Sequence, residues 1–335
     1  MTDLPTVELT FRGELAPPEE GDTAACVSLS PHGEPVALWT APADHGEQIA
    51  KDILPNGVGV PRTRLDGGVP MRFVTYGPEP VVTALETALA VPRAQPLSGG
   101  RVLVVGARCV YHPEEGPERN AEIHGADGRL LARGTLGDGI AGIRTDVADG
   151  IWVSYFDEGI FGNNGWGGPD GPEPIGSDGL VRFADDLTPD RPLPGDGPWG
   201  LPAETPRVAL ESTTVWTSFH NMRERVLVRF DPSEGAGPRR GWSLEGTGGG
   251  WAVPLGRDRT VAQVGGEDRH DVLTYTTLED DGRAVPGARY RLALPGGGAL
   301  GRFSGHGHAG VLHVFSGTTW WSADLSEPAR ERRTR

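Results

Sequence analysis

The sequence predicts an all-β fold made of repeated units, and three observations support this prediction. A short apolar run, rich in β-branched and aromatic residues, recurs roughly every 50 to 65 residues. Turn-forming residues precede most of these runs, and the 51 glycines and 30 prolines fall between apolar segments. The six runs are Pro35–Pro42, Arg101–Cys109, Ile151–Asp157, Thr213–Asn221, Thr260–Gly266 and Val311–Gly317. This pattern predicts a six-bladed β-propeller of four-stranded antiparallel blades, with each run as the second strand of its blade.

The other strands are predicted on either side of each run, because alternating apolar residues flanked by turn residues indicate strands with one buried face. In chain order they are Ala25–Leu29, Met71–Tyr76 and Val81–Val91; Ala94–Leu97, Asn120–His124 and Arg129–Leu136; Ala141–Val147, Gly179–Phe183 and a strand near Arg191; Val208–Glu211, Arg225–Phe230 and Gly241–Glu245; Trp251–Leu255, Asp271–Thr277 and Ala288–Leu294; and Leu300–Ser304 with Thr319–Leu325.

The last blade lacks a fourth strand, and the first segment of the chain can supply it. Thr6–Leu15 alternates well, so we expect this N-terminal strand to close the last blade and protect its open edge. An insertion, Ala43–Pro70, follows the second strand of the first blade, and Gly46–Asp52 within it is the only segment expected to form a helical turn. A β-sandwich, or a seven-bladed ring in which the long first blade is split, is the alternative architecture.

Composition and charge limit the classes of partner. The repeats predict a single domain over residues 1–328, followed by a charged tail at 329–335. The formal net charge of −15 disfavours nucleic acid and anionic membranes as partners.

The first thirty residues show no export signal and no run of apolar residues long enough to span a membrane, so the expected location is the cytoplasm. Two cysteines, Cys26 and Cys109, do not make a disulfide framework.

The loops that follow the second strands should share one rim of such a fold, and polar residues are concentrated there. Concave sites with convergent polar groups commonly bind ligands. The predicted ligand-binding residues are Arg108, Asn163, Asn164, Trp166, Asn221, Asp268 and His270. The predicted catalytic residues are Asp157, Glu158 and His220. Carboxylates can act as acids or bases, and a histidine can exchange a proton near neutral pH.

The segment Tyr155–Asn164 is the richest of these loops, and it has two interpretations. Its carboxylate and amide oxygens suit Ca²⁺ or Mg²⁺, or acid–base chemistry. Alternatively, acidic and amide side chains cap turns by hydrogen-bonding local backbone. Aromatic residues such as Trp166 favour a functional loop, because they are costly to expose. Arg119, Asn120 and Glu122 are interpreted either as an anion-binding corner or as an ion-paired surface.

The repeat organisation resembles the six-bladed β-propeller superfamily over nearly the whole chain. Within that superfamily, gluconolactonase-like and paraoxonase-like enzymes hold a divalent cation with Glu, Asn and Asp side chains. The resemblance implies Glu158, Asn163, Asn221 and Asp268 as candidate ligands for Ca²⁺ or Mg²⁺.

Two functions are therefore expected. The first is the binding of a small molecule or a protein partner at a rim built from the inserted loops Ala43–Pro70 and Glu158–Asp178. The alternative is a hydrolase, lactonase or lyase with a carboxylate cluster, with or without a metal. The sequence contains no phosphate-binding loop, no GxSxG nucleophile elbow, no HExxH motif and no paired CxxC motif, so a nucleotide site, a serine hydrolase and a zinc finger are not expected.

Overall fold

A computed structural model describes residues 4–53, 57, 59–169, 171–192, 199–200, 202–203, 205–211, 214–231, 240–247, 250–256, 259–265 and 270–326. The chain divides into two compact units, and each is described by itself. Unit 1 comprises residues 1–15 and 207–335, and unit 2 comprises residues 16–206. No helix among the described residues is long and apolar enough to cross a membrane.

The described residues are mostly β-strands. Two strands precede unit 2 in the chain, β1 (Thr6–Glu8) and β2 (Thr10–Glu14). The elements of unit 2 are β3 (Thr23–Leu29), β4 (Pro35–Thr40), α1 (Pro42–Gln48), β5 (Lys51–Ile53), β6 (Gly59–Pro61), β7 (Arg64–Thr75), β8 (Val81–Leu89), β9 (Pro92–Pro96), β10 (Val102–Gly106), β11 (Tyr111–His112), β12 (Gly116–Pro117), β13 (Ala121–His124), β14 (Leu130–Gly134), β15 (Ile140–Thr145), β16 (Ile151–Tyr155), α2 (Asp157–Phe161), β17 (Leu180–Phe183) and β18 (Pro189–Pro192).

The remaining strands belong to unit 1. They are β19 (Arg207–Glu211), β20 (Thr214–His220), β21 (Arg225–Phe230), β22 (Arg240–Ser243), β23 (Trp251–Pro254), β24 (Thr260–Val264), β25 (Val272–Leu278), β26 (Ala284–Ala293), β27 (Ser304–His308), β28 (Val311–Ser316) and β29 (Thr319–Asp324). Ser98–Gly100 and Pro295–Gly297 form short 3₁₀ turns.

The described residues of unit 2 form three four-stranded antiparallel sheets. They are sheet 1 (β3-β4-β7-β8), sheet 2 (β9-β10-β13-β14) and sheet 3 (β15-β16-β17-β18). In each sheet the connection from the second strand to the third carries an insertion. These insertions are α1 with the β5–β6 hairpin, the β11–β12 hairpin, and α2 with the loop that follows it. Apolar side chains fill the spaces between sheets 1 and 2 and between sheets 2 and 3.

Unit 1 also contains three four-stranded sheets among its described residues. They are sheet 4 (β19-β20-β21-β22), sheet 5 (β23-β24-β25-β26, with β1 added beside β26) and sheet 6 (β27-β28-β29-β2). A single parallel bridge between Leu210 and His308 connects sheets 4 and 6. The first strands β19, β23 and β27 lie against one another, and two apolar clusters fill the spaces between the sheets.

The sequence pattern explains these strands. The second strand β10 is buried on both faces and is therefore continuously apolar, whereas β8, the fourth strand of sheet 1, alternates buried and exposed side chains. Each of the six recurrent runs forms the second strand of its sheet, namely β4, β10, β16, β20, β24 and β28. Four-stranded meanders of this kind are the building block of β-propellers. The number of blades and their arrangement remain predictions.

The N-terminal segment pairs with two different sheets. Thr10–Glu14 pairs antiparallel with β29, as expected for a strand that completes the last sheet. Thr6–Glu8 instead pairs in parallel with β26 of sheet 5. Leu9, between these strands, is 2% exposed and packs in the apolar cluster of sheets 5 and 6. The segment predicted as one strand therefore forms two, separated by a buried leucine.

We expect Leu9→Ala to lower the free energy of unfolding of unit 1 by about 2–3 kcal/mol, because it leaves a cavity in a packed cluster. Phe11→Ala, two residues later, is the matched control. Phe11 is 56% exposed, so its loss should cost less than about 1 kcal/mol. Urea unfolding of the two variants measures both values. Equal midpoints for the two variants would mean that Leu9 does not anchor the segment.

Three local expectations need correction. The predicted insertion Ala43–Pro70 is shorter than expected, because β7 begins at Arg64. The helical turn expected at Gly46–Asp52 lies earlier, at Pro42–Gln48, where a proline occupies the first turn. A second short helix, Asp157–Phe161, follows β16, where the sequence predicts only a strand end and a loop.

Candidate functional site

A buried ion pair lies where sheets 2 and 3 of unit 2 meet. Arg108 follows β10, and Asp138 lies just before β15. The Arg108 guanidinium contacts Asp138 with two parallel hydrogen bonds, Nε to Oδ1 at 2.9 Å and Nη2 to Oδ2 at 3.0 Å. Their side chains are 10% and 1% exposed. This bidentate geometry is the strong form of an arginine–carboxylate contact, and it fixes the orientation of the guanidinium.

Asp138 also receives hydrogen bonds from two other segments. The backbone N–H of Cys109 donates to Oδ1 at 2.8 Å, and the Asn164 side-chain amide donates to Oδ2 at 3.1 Å. Burial raises the pKa of Asp138, whereas the Cys109 N–H and Arg108 act in the opposite direction. Asp138 therefore ties the end of β10 to the loop that follows α2.

Glu158 occupies the solvent side of the same arginine. Its Oε2 lies 2.5 Å from Arg108 Nη1, and its side chain is 41% exposed. Burial acts to raise the pKa of Glu158, but a hydrogen bond from the Asn163 side chain and the charge of Arg108 outweigh burial, so the pKa lies below its ordinary value. The Phe156 ring lies 5.5 Å from the Arg108 guanidinium carbon. Glu158 is thus an ionised, oriented carboxylate that remains accessible to solvent.

A close backbone contact positions α2 beside Asp138. Gly139 has φ +65°, and a Cβ atom there would lie 2.3 Å from the backbone nitrogen of Gly159. Only glycine fits this approach and this dihedral angle. Asp157 and Phe161 are exposed at the two ends of the helix, and Asp157 Oδ1 accepts the N–H of Glu158 at 3.0 Å.

The loop after α2 is anchored by an aromatic residue that the sequence assigns to ligand binding. Trp166 is 6% exposed, and its indole N–H donates to the Cys109 carbonyl oxygen at 2.9 Å. Its ring packs against Tyr111 with centroids 5.5 Å apart. The Tyr111 N–H donates to the Asn164 carbonyl oxygen at 2.9 Å. Trp166 and Asn164 thus hold the loop to the β11–β12 hairpin. The tryptophan is a buried packing residue that positions the loop.

The other predicted site residues belong to unit 1 or lie outside the described residues. His220 ends β20, and its Nδ1 accepts the N–H of Met222 at 3.2 Å. The Asn221 side-chain oxygen accepts the N–H groups of Arg223 and Glu224, which is the turn-capping role considered from the sequence. His270 is an exposed turn residue before β25. Asp268 lies outside the described residues.

The contacts of the predicted metal ligands do not favour a bound cation. Glu158 and Asn163 contact each other in unit 2, but the Glu158 carboxylate already pairs with Arg108. The positive charge of this guanidinium would repel a metal cation, and the cation would have to displace it from Glu158. The donor set therefore does not fit Ca²⁺ or Mg²⁺ well. Among the residues that the structure describes, no group of three or more His, Cys, Asp and Glu side chains could hold a metal ion. Metal binding remains a prediction from the sequence.

Unit 2 therefore gathers five of the predicted residues, Arg108, Glu158, Asn163, Asn164 and Trp166, around a residue that the sequence did not single out, Asp138. We call the accessible side of this cluster, Glu158 and Asn163 together with the exposed α2 residues Asp157 and Phe161, the Glu158 edge. Its chemistry is that of a fixed anionic surface beside an aromatic ring.

Comparisons with known proteins assign no family. No family model matches the sequence, and no curated protein matches it. Among solved structures, the chain is similar to an inactive variant of virginiamycin B lyase from Staphylococcus aureus bound to quinupristin, at 13% identity over 95% of this chain and 89% of that chain, with a TM-score of 0.44.

A gluconolactonase from Xanthomonas campestris is matched at 13% identity over 92% of this chain and 99% of that chain, with a TM-score of 0.39. The WD40 domain of coronin from Toxoplasma gondii is matched at 11% identity over 96% of this chain and 87% of that chain, also with a TM-score of 0.39. With all three TM-scores below 0.5, these similarities assign no activity to the chain.

Proposed function

We propose that this chain binds a small organic molecule through a positively charged group at the Glu158 edge of unit 2. The observation that supports this proposal is the charge of the cluster. Two carboxylates, Asp138 and Glu158, share the single guanidinium of Arg108, so the cluster carries an excess negative charge. This negative charge is accessible at Glu158, whose side chain is the more exposed of the two. Asp157, exposed beside it, adds a second anionic group.

The aromatic neighbour suggests the rest of the ligand. Phe161 is 65% exposed and lies three residues after Glu158, so both side chains share one face of α2. A large exposed ring beside a fixed carboxylate suits an amine that carries an apolar group, because the ring can contact the apolar part and attract the cation. A protein partner would have to offer the same chemistry through a lysine or arginine side chain.

Binding fits the site better than catalysis. A hydrolase, lactonase or lyase of the kind considered from the sequence needs a group that exchanges a proton near neutral pH. The lowered pKa of Glu158 keeps this carboxylate ionised and weakly basic, and Arg108 already occupies one of its oxygens. Asp157 also accepts a local backbone hydrogen bond. These contacts favour a fixed charge over a proton carrier.

The test compares benzylamine with benzyl alcohol, which has the same ring without the charge. We expect the amine to bind the wild-type protein and the alcohol to bind at least tenfold more weakly, as measured by calorimetry or by ligand NMR. Glu158→Gln should weaken amine binding by a similar factor, because the amide carries no charge. The matched control is Glu245→Gln, an exposed glutamate of unit 1.

The pH dependence provides a further check. Since the pKa of Glu158 lies below its ordinary value of 4.5, the carboxylate stays charged down to about pH 4.5, and amine binding should persist to that pH and fall only below it. Unchanged affinity in Glu158→Gln would contradict the proposal. Equal binding of the amine and the alcohol would contradict it as well.

A further inference from the structure

A second polar cluster of unit 2 lies at the ends of the first strands of its three sheets. Ser28 is near the end of β3, Gln95 near the end of β9, and Arg144 near the end of β15. Arg144 Nη1 donates to Ser28 Oγ at 3.1 Å and to the Leu29 carbonyl oxygen at 3.0 Å. The Gln95 side-chain amide donates to Ser28 Oγ at 2.8 Å. None of these residues belongs to the Glu158 edge.

The charge of Arg144 is buried without an acidic partner among the described residues. Its residue exposure is 8%, and its hydrogen bonds run only to neutral oxygens. The nearest acid in sequence, Asp146, is engaged elsewhere: its Oδ2 accepts the Trp152 indole N–H at 2.9 Å, and Arg182 lies 3.5 Å away. Burial lowers the pKa of Arg144 to about 10, so the guanidinium is still charged at neutral pH. A buried charge of this kind is costly unless an anion accompanies it.

Hydrogen-bond donors exceed acceptors at this point. Ser28 Oγ already accepts two hydrogen bonds, so its own proton must point elsewhere. Arg144 Nε is buried and has no hydrogen-bond partner. Arg93, which precedes Gln95 by two residues on β9, also has a buried Nε without a partner, and it adds positive charge to the same strand. Ser28 is half-buried, so the cluster has a side that faces solvent.

We infer that Arg144 and Ser28 bind the carboxylate group of a small molecule. Arg144 makes its hydrogen bonds to Ser28 and Leu29 through Nη1 alone, so its Nε and Nη2 keep two parallel N–H groups that match the two oxygens of a planar carboxylate. Because the Nε is closed to solvent, the carboxylate must enter from the half-buried Ser28 side and displace the side chains that cover the Nε. The Ser28 hydroxyl supplies a third donor to the same anion. Gln95 holds the serine in place through its amide. This site recognises a charge opposite to that recognised by the Glu158 edge, and it is independent of the proposed function.

Acetate is the probe for this site. Titration of ¹³C-acetate into the protein, in a buffer of constant ionic strength, should broaden the acetate NMR signal with a dissociation constant on the order of millimolar, as expected for so small a ligand. Acetate should also raise the melting temperature, because it binds only the folded state. Arg144→Gln should abolish both effects, and Ser28→Ala should weaken binding several-fold.

Two controls keep the result specific. Arg72→Gln removes a half-buried arginine that is already paired with Asp22, and it should bind acetate as the wild type does. Glu158→Gln should also bind acetate normally, so failure of one site does not imply failure of the other. Arg144→Lys keeps the positive charge but loses the planar pair of N–H donors, so this variant should bind acetate more weakly than the wild type.

The inference fails if the wild-type protein shows no acetate dependence, or if Arg144→Gln responds to acetate as strongly as the wild type. A response to inorganic phosphate without a response to acetate would also overturn the assignment to a carboxylate.

Discussion

Asp138→Ala is expected to lower the free energy of unfolding by about 3–5 kcal/mol, the cost of removing one partner from a buried ion pair. Asp138 accepts two hydrogen bonds from Arg108, one from the Cys109 N–H and one from the Asn164 amide. The substitution leaves a buried guanidinium with only Glu158 as a partner, and it also leaves a buried N–H without an acceptor. Urea unfolding followed by tryptophan fluorescence measures the loss.

The matched control is Asp185→Ala. Asp185 also pairs with an arginine, Arg101, at 3.1 Å, but its side chain is 51% exposed. An exposed pair contributes at most about 1 kcal/mol. In a second variant, Arg108→Met combined with Asp138→Leu, no charge of this pair is left unpaired, so much of the stability should return. Equal losses for Asp138→Ala and Asp185→Ala would show that burial does not strengthen this pair.

The strands of this protein could be predicted because their signals are local. β-branched and aromatic runs bounded by glycine and proline stand out in the sequence, and each of the six recurrent runs forms the second strand of a sheet. The N-terminal segment is different. Its alternation predicts a strand, but its division at Leu9 between β26 and β29 depends on which sheet edges are unpaired, and that information lies almost 300 residues away.

The candidate site could be predicted in part for a geometric reason. Loops that follow neighbouring second strands lie at the same end of their sheets, so the sequence predicts Arg108 and Glu158 on one rim, and the two side chains contact each other in the structure. The sequence predicts Trp166 as a ligand-binding residue, and in the structure it anchors the loop that follows α2. It is 6% exposed, and its contacts are those of a packed side chain.

Asp138 and Arg144 show what the sequence does not reveal. Asp138 stands between Gly137 and Gly139, a pattern that indicates an ordinary turn. Arg144 lies in a strand, where an arginine usually extends its charged end to water. Their burial is set by segments distant in sequence, Cys109 and Asn164 for the aspartate and Ser28 for the arginine. Whether these buried side chains have an oppositely charged partner therefore depends on tertiary structure, which the local sequence does not show.

Glu122 differs most from its expected environment. The sequence predicts Glu122 in an anion-binding corner or on an ion-paired surface, yet its side chain is 0% exposed. Its Oε2 accepts the Thr87 hydroxyl at 2.7 Å and lies 3.4 Å from His124 Nε2, and its Oε1 accepts Arg133 Nε at 3.0 Å. Thr87 belongs to sheet 1 and Glu122 to sheet 2, so this carboxylate joins two sheets of unit 2.

Glu122→Gln should therefore destabilise the protein by about 3 kcal/mol at pH 7, because an amide cannot balance the charge of Arg133 or accept all of these hydrogen bonds. Burial acts to raise the pKa of Glu122, but the bonds from His124, Thr87 and Arg133 outweigh burial and leave the pKa below its ordinary value of 4.5. A carboxyl group whose pKa is lowered by folding adds stability above the unfolded pKa and loses it as the pH falls through the folded pKa.

The difference in melting temperature between wild type and Glu122→Gln should thus be constant from pH 7 to about pH 5 and shrink steadily below pH 4.5. Glu86→Gln, an exposed glutamate next to Thr87 on β8, serves as the control and should stay within about 0.5 kcal/mol of the wild type at pH 7. A gap between wild type and Glu122→Gln that stays the same down to pH 3 would mean that the stability comes from shape and packing. A difference in melting temperature that decreases at low pH identifies the ionised Glu122 carboxylate as the group that links sheets 1 and 2.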